Sequence, residues 1–400
     1  MTGIPLVGYS DKISLRSDEI ISFKISSNLK TSFVASLKRS ISADPNPKGI
    51  GIIEEDASEY FKTTSYKSRV QDFNPGSYAI SKKSLNINIK KEMCIKIVIF
   101  PTLFINRKQT ILAHDSLELY INSNKKITFR FDKEEISIKE PLLSRSWYKV
   151  EVKVSLKGKI TISQKLIKNK HIKDSVNQAK FNVKKASKGH LSLAASFLNK
   201  QSLNHFNGKI ESPKIIVDGK MIFNCDLSKN ISSSFIKSII GPDLLLKNFP
   251  TRAVTGSEWD GSEMNWQHKP EHYAAIHFHD DDIYDFEWDT DFKFKIPKNM
   301  PSGIYIMRIK GEEYEDSIPF FVAPSIKKIK TKICVLISTF TYSIYGNHAR
   351  VDYKDSWVDR IKDWNAYPYN PANHKHYGLS TYNYHSDGAG ICHASHRRPL

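Results

Sequence analysis

A mainly β, multidomain fold is predicted from three observations: short alternating polar and apolar runs, the near absence of long helical periodicities, and a length that exceeds one domain. The chain has 400 residues, 40% of them hydrophobic and 11% aromatic. That is enough apolar surface to offset the ordering entropy of two or three compact units. Segments 12–16, 20–25 and 32–37 alternate, and polar turns break them, as in a half-buried antiparallel sheet. The Pro/Gly loop Asp44–Gly51 follows.

From about Gly76 to Asn224 the strand signal becomes dense. Nine strands are expected: 85–89, 94–100, 117–122, 127–131, 147–156, 159–165, 190–197, 209–217 and 221–224. With no helical run of 10 residues between them, they point to a sandwich rather than to βαβ units. Asp291–Ile296, Ile304–Ile309 and Ser317–Val322 then return to the style of the first strands. One small β domain is therefore expected from both ends of this region, with the sandwich inserted into it. The expected boundaries are 1–58, 59–244, 245–326 and 327–400. Beyond Pro324 the run Lys332–Phe340 is continuously apolar and β-branched, like a strand buried on both faces of a parallel sheet. No second strand of that kind follows, so residues 327–400 read as the start of an incomplete α/β domain.

Composition excludes several function classes. The net charge of +18 lies entirely in the first 250 residues, which hold 42 Lys+Arg against 22 Asp+Glu; residues 251–400 hold 18 against 20. The excess is lysine, with only 12 arginines in the chain, and it alternates with apolar residues as the wet face of a sheet does. Nucleic-acid readout favours the arginine fork, so no nucleic-acid partner is expected. The most apolar stretch, Cys94–Ile105, is interrupted by Lys96 and Pro101 and falls short of a membrane span. No apolar leader is visible, and the four dispersed cysteines form no C-x-x-C pair, which points to a reducing, cytoplasmic location.

Chemistry-bearing residues gather at the other end, where ten of fourteen histidines and five of six tryptophans follow residue 250. In Ala275–Tyr284, His277 and His279 share one face of a strand, a spacing that suits two imidazole ligands, and Asp280, Asp281 and Asp282 follow at once. The competing reading is a strand end whose acids cap turns. At the end of the apolar run, Tyr342 is placed where α/β sheets gather ligands. Gly378–Gly390 brings Ser380, Tyr382, His385 and Asp387 close in sequence but lacks the G-x-S-x-G elbow of a serine hydrolase. Tyrosine, with a pKa near 10, becomes a ligand only when a hard trivalent cation displaces its proton.

The segments Pro250–Gly261, Ala275–Asp285, Ser338–Tyr342 and Gly378–Gly388, with Gly8–Asp11 and Asp44–Pro47, resemble the large (beta) subunit of the N,N-dimethylformamidase family. The resemblance implies a split Ig-like β domain, an inserted concanavalin or laminin-G-like jelly roll, and a glutamine-amidotransferase-like α/β domain. It further implies hydrolysis of a small N-substituted formamide to formate and an amine, at a mononuclear ferric iron held by two tyrosines and a glutamate. A small accessory subunit, hence a hetero-oligomer, is implied as well. Carried over by motif, the iron ligands are Tyr382 and Tyr342, with Tyr345 as the fallback, and His385 or Asp387 would orient the attacking water. The carboxylate ligand of the family's pattern falls beyond residue 400, so the chain reads as truncated and its own hydrolytic activity is in question. The alternative function is a non-catalytic, lectin-like binding module or subunit-assembly scaffold.

Overall fold

The structure is a computed structural model that describes residues 3–88, 92–115, 117–168, 174–182, 186–326, 332–350 and 354–400. The described residues are mainly β and divide into two units. One comprises residues up to 73, 284–384 and 390–400; the other comprises 74–283 and 385–389.

The first unit is a small β domain split in sequence, in keeping with the alternation read at both of its ends. Ile20–Ser27 pairs antiparallel with Phe292–Lys295, bringing Phe23 opposite Phe292, and Leu6–Ser10 lies on its other edge. In the second sheet, Phe33–Ala43 pairs with Gly303–Gly311, which pairs with Tyr314–Val322. Ile52–Asp56 and Thr64–Tyr66 extend the free edge of Phe33–Ala43, and Ser14–Leu15 runs parallel beside Tyr314–Val322. The period-2 burial of these strands puts Phe23, Phe33, Leu37, Met307 and Phe320 into one core.

Beneath this core Asp316 is buried and accepts the backbone N–H groups of Gly8 (2.9 Å) and Ser317 (2.8 Å). Burial outweighs both hydrogen bonds and pushes its carboxyl up to about 6. A carboxyl whose folded pKa is raised adds stability below its unfolded pKa near 3.9 and loses it as pH rises toward 6. Asp316→Asn is therefore expected to gain about 2 kcal/mol relative to the parent between about pH 4 and pH 7. Urea denaturation across that range checks it; parallel stability profiles would contradict it.

The expected buried strand Lys332–Phe340 is not formed. Residues 332–338 belong to no ladder, and Leu336 is 92% exposed. An apolar strand of this kind needs neighbours on both edges, and no described segment supplies one. The α helix Thr339–Tyr345 follows instead, so Tyr342 stands on a helix rather than at a strand end. Asp355–Asp363 forms a second helix, and short 3₁₀ turns occur at Pro371–Asn373 and Lys375–Tyr377. The buried guanidinium of Arg398 ties this segment together, donating to the carbonyls of Ser395 and Leu379 at 3.0 and 3.1 Å.

The second unit is the expected sandwich, of two eight-stranded sheets that share one core. One sheet runs in the order Glu134–Ser137, Ile127–Phe131, Leu117–Ile121, Gln109–His114, Leu191–Leu193, Tyr78–Ser81, Leu244–Lys247 and Phe235–Ile236. The opposing sheet runs Ser175–Lys180, Lys159–Leu166, Tyr148–Val154, Met93–Pro101, Gly208–Val217, Ala275–Phe278 and Thr251–Val254, with Lys220–Asn224 flanking Gly208–Val217. The sandwich continues past the expected boundary at 244. Leu244–Lys247 pairs with Tyr78–Ser81, and Ala275–Phe278 pairs with Gly208–Glu211, because each carries apolar residues that complete the core. Gln109–His114 gave no alternation because all six of its residues are buried. Residue 89, in the first expected strand of the sandwich, lies outside the described residues. Among the described residues no helix is long and apolar enough to cross a membrane.

Candidate functional site

Two groups of side chains bring together residues singled out in the sequence, one in each unit. The first is built on the strand Ala275–Phe278. Ile276 and Phe278 point into the sandwich core, so the pleat turns His277 to the opposite face, and His279 continues on that face just past the strand end. Against them lies the turn His385–Ala389. It is closed by the His385 N–H on the Ala389 carbonyl (2.8 Å) and the Gly388 N–H on the His385 carbonyl (2.9 Å). Gly388 adopts φ +83°, a conformation that favours glycine. Arg145 donates to the Asp387 carbonyl at 2.8 Å and fastens the turn from the sandwich side.

Three imidazoles pack together in this cluster, His279 stacked on His385 and tilted by 44° against His277. Ring centroids of His277 and His279 lie 4.0 Å apart, and those of His279 and His385 lie 3.9 Å apart at 7°. Carboxylates occupy the ring edges. Asp387 Oδ2 lies 2.9 Å from His277 Nε2 and 3.6 Å from His279 Nε2. Asp282 Oδ2 faces His279 Nδ1 at 3.2 Å and receives the Ser77 hydroxyl at 2.6 Å. Asp281 Oδ1 faces His385 Nδ1 at 2.7 Å, and its other oxygen accepts the Ser386 N–H at 2.9 Å. Asp280 is turned away and pairs with Arg107 at 2.8 Å.

Charge in the cluster is set by burial against these partners. Burial lowers the His277 imidazole to about 4, overriding its hydrogen bond to Asp387, so this ring is neutral at pH 7. Burial also disfavours the Asp387 carboxylate, but the hydrogen bonds it accepts, first that of His277 and also that of the Ala389 N–H, help hold the carboxyl below the usual range. His385 resolves the other way: burial opposes its charge, yet Asp281 and Asp282 raise its pKa.

The second group belongs to the first unit. The Ser380–Asn383 turn is tied to the end of the helix Thr339–Tyr345: Ser380 Oγ donates to the Ile344 carbonyl (2.7 Å) and accepts the Tyr382 N–H (3.1 Å). Asn383 makes a two-way contact with the Ala349 backbone, at 3.0 Å as acceptor and 2.6 Å as donor. The turn thereby lays Tyr382 on Tyr345, with ring centroids 4.5 Å apart at 23°. His348 stacks on Tyr382 at 5.9 Å. Hydrogen-bond contact with the Tyr382 hydroxyl raises the Tyr345 phenol above its ordinary value.

Comparison with known proteins agrees with the motifs. Residues 251–400, which contain both groups apart from their Ser77, Arg107 and Arg145 contacts and the Thr102 hydroxyl 3.4 Å from His277 Nε2, match the family described as N,N-dimethylformamidase beta subunit-like, C-terminal. Across its whole length the chain is 27% identical to the N,N-dimethylformamidase beta subunits of an Alcaligenes species and of Paracoccus aminophilus. The resemblance to the N,N-dimethylformamidase beta-subunit family is borne out. The chain spans 60% of the length of these dimethylformamidase relatives. Among solved structures, laminin-G domains 4–5 of the mouse laminin alpha1 chain align with a TM-score of 0.26 at 13% identity, over 45% of this chain and 51% of that one.

Of the positions carried over from the dimethylformamidase family, Tyr382 is found beside Tyr345 rather than Tyr342, whose ring instead stacks on Phe321 at 6.1 Å. One helical turn separates the two candidates, and only the seat of the Ser380–Asn383 turn distinguishes them. His385 and Asp387, expected to orient water, are buried and engaged by Asp281, Asp282 and His277. Their union with His277 and His279, more than a hundred residues earlier, was missed. The only signal in the sequence was the His-Ser-Asp-Gly turn, whose short side chains and glycine suit a tight loop aimed at a strand.

Proposed function

We propose that this chain is part of the large subunit of an iron-dependent amidohydrolase that cleaves a small N-substituted formamide to formate and an amine. The observation that carries this reading is the Tyr345–Tyr382 pair. Two phenol rings stacked 4.5 Å apart, one on a helix end and one on a turn fastened to it, bring two hard oxygen donors together, which suits a ferric ion. Tyr345 and Tyr382 would hold the iron, with a carboxylate as the third ligand of the family's pattern. Bound there, iron supplies Lewis acidity that polarises a formyl oxygen and lowers the pKa of water. The chain's own part is to hold the two phenols in register and to give up their protons. His348, stacked at 5.9 Å from Tyr382 and 6.3 Å from Tyr345, fixes the outer side of the pair.

Cytoplasmic residence and assembly with a small accessory subunit are part of the same proposal. Four unpaired cysteines suit a reducing compartment, and the curated relatives are named as beta subunits. The test is iron content and formate release from N,N-dimethylformamide, measured on the native protein with its co-purifying partners. Tyr345→Phe and Tyr382→Phe are each expected to lose most of the iron and to lower the rate at least a hundredfold, about 3 kcal/mol, whereas Tyr342→Phe keeps both. Full iron content in both ligand variants would overturn the assignment.

A further inference from the structure

We propose that His277, His279 and Asp387 form a second, separate metal site, for a zinc-class divalent ion, that fastens the His385–Ala389 turn to the strand Ala275–Phe278. One donor atom from each of His277, His279 and Asp387 lies within 4.8 Å of the other two. Two of the separations are 2.9 and 3.6 Å, which bracket the roughly 3.4 Å between neighbouring donors of a tetrahedral zinc with bonds near 2.0–2.1 Å.

Tautomer logic points the His279 lone pair inward, and the ion would take the place of the proton that His277 Nε2 donates to Asp387 Oδ2. Asp282 Oδ2 faces His279 Nδ1 and also receives the Ser77 hydroxyl and the His279 backbone N–H. A carboxylate there holds the proton on Nδ1, which leaves Nε2 as an acceptor. That Nε2 is buried, has no hydrogen-bond partner, and looks at Asp387 Oδ2, itself an acceptor. Two acceptors 3.6 Å apart in a dry interior, with side chains 1% exposed on both sides, call for a cation between them. The carboxylate–histidine pair behind His279 has the form of the supporting contact that orients metal-bound imidazoles. Two imidazoles and one carboxylate are a borderline donor set suited to Zn²⁺, and three protein ligands leave one position for water. Nothing in this site draws on the tyrosine pair.

Cobalt(II) and zinc are the probes. The full chain, freed of metal by a chelator, is titrated with Co²⁺ and followed by visible absorption, then challenged with Zn²⁺. One Co²⁺ per chain with the intense bands of a tetrahedral site, displaced by one equivalent of Zn²⁺, is expected. Asp387→Asn and His279→Gln should abolish these bands, and Asp282→Asn should weaken Zn²⁺ binding about 10–100-fold while keeping them. Tyr345→Phe and Tyr382→Phe should leave them unchanged, which separates this site from the proposed iron site. A parent chain that shows only the weak spectrum of aquated cobalt overturns the proposal whether or not the variants fold. Unaltered binding by folded Asp387→Asn and His279→Gln would do the same.

Discussion

Asp387→Ala is expected to destabilise the metal-free sandwich by about 2–4 kcal/mol, because removing one partner of a buried polar pair leaves the donors it served unsatisfied. The Asp387 side chain is only 1% exposed, so its loss cannot be repaired by solvent. Its Oδ2 receives the His277 imidazole at 2.9 Å, and its Oδ1 receives the Ala389 N–H at 2.8 Å. Truncation leaves the turn N–H without its acceptor and the buried ring nitrogen with only the Thr102 hydroxyl, 3.4 Å away. His277 stays neutral near pH 7, so the cost is that of lost hydrogen bonds and a void rather than of an orphaned charge. Urea denaturation in the presence of a chelator measures it. A double-mutant cycle with His277→Ala should show coupling of at least about 1 kcal/mol, as contacting residues do. A loss below about 1 kcal/mol would mean that the turn does not hold the cluster.

Phe278→Ala is expected to cost a further class of energy, about 3–5 kcal/mol from the transfer of a large side chain and the cavity left behind. Phe278 is fully buried in the sandwich core, and its strand neighbour on the same face is Ile276. Its backbone pairs with Gly208, and the preceding His277 pairs with Lys209. The core face of this strand thus holds the register that presents His277 on the other face. Phe278→Leu, which keeps most of the volume, should cost less than half as much. The same denaturation series checks both, and equal losses for Leu and Ala would point to backbone disruption rather than to a cavity.

Strand identity was largely legible. Lys159–Leu166, Gly208–Val217 and Gly303–Gly311 alternate in sequence as they do in burial, since one face of each packs on a core and the other does not. The splitting of the small β domain was legible for the same reason, from Asp291–Ile296 returning to the pattern of Ile20–Ile25. Legibility failed at Gln109–His114, where burial on both faces erases the alternation. It failed again at Lys332–Phe340, where local propensity favours a strand but a strand exists only if another offers its hydrogen bonds.

The two groups of functional side chains divide along the same line. The spacing of His277 and His279 follows from the pleat of one strand, a local property, and was decided by sequence alone. Which acids meet them was not. Asp280, Asp281 and Asp282 are adjacent in the chain, yet one pairs with Arg107, one with His385 and one with His279, because the loop leaves the strand end in three directions. Tyr382 likewise was marked by its motif, whereas its partner was chosen by the Ser380 and Asn383 hydrogen bonds that seat one turn on one helix end. Periodicity is encoded between near neighbours and survives in any context. Convergence of residues 277 and 387, or of 345 and 382, depends on loop seating and core packing, which only the folded chain decides.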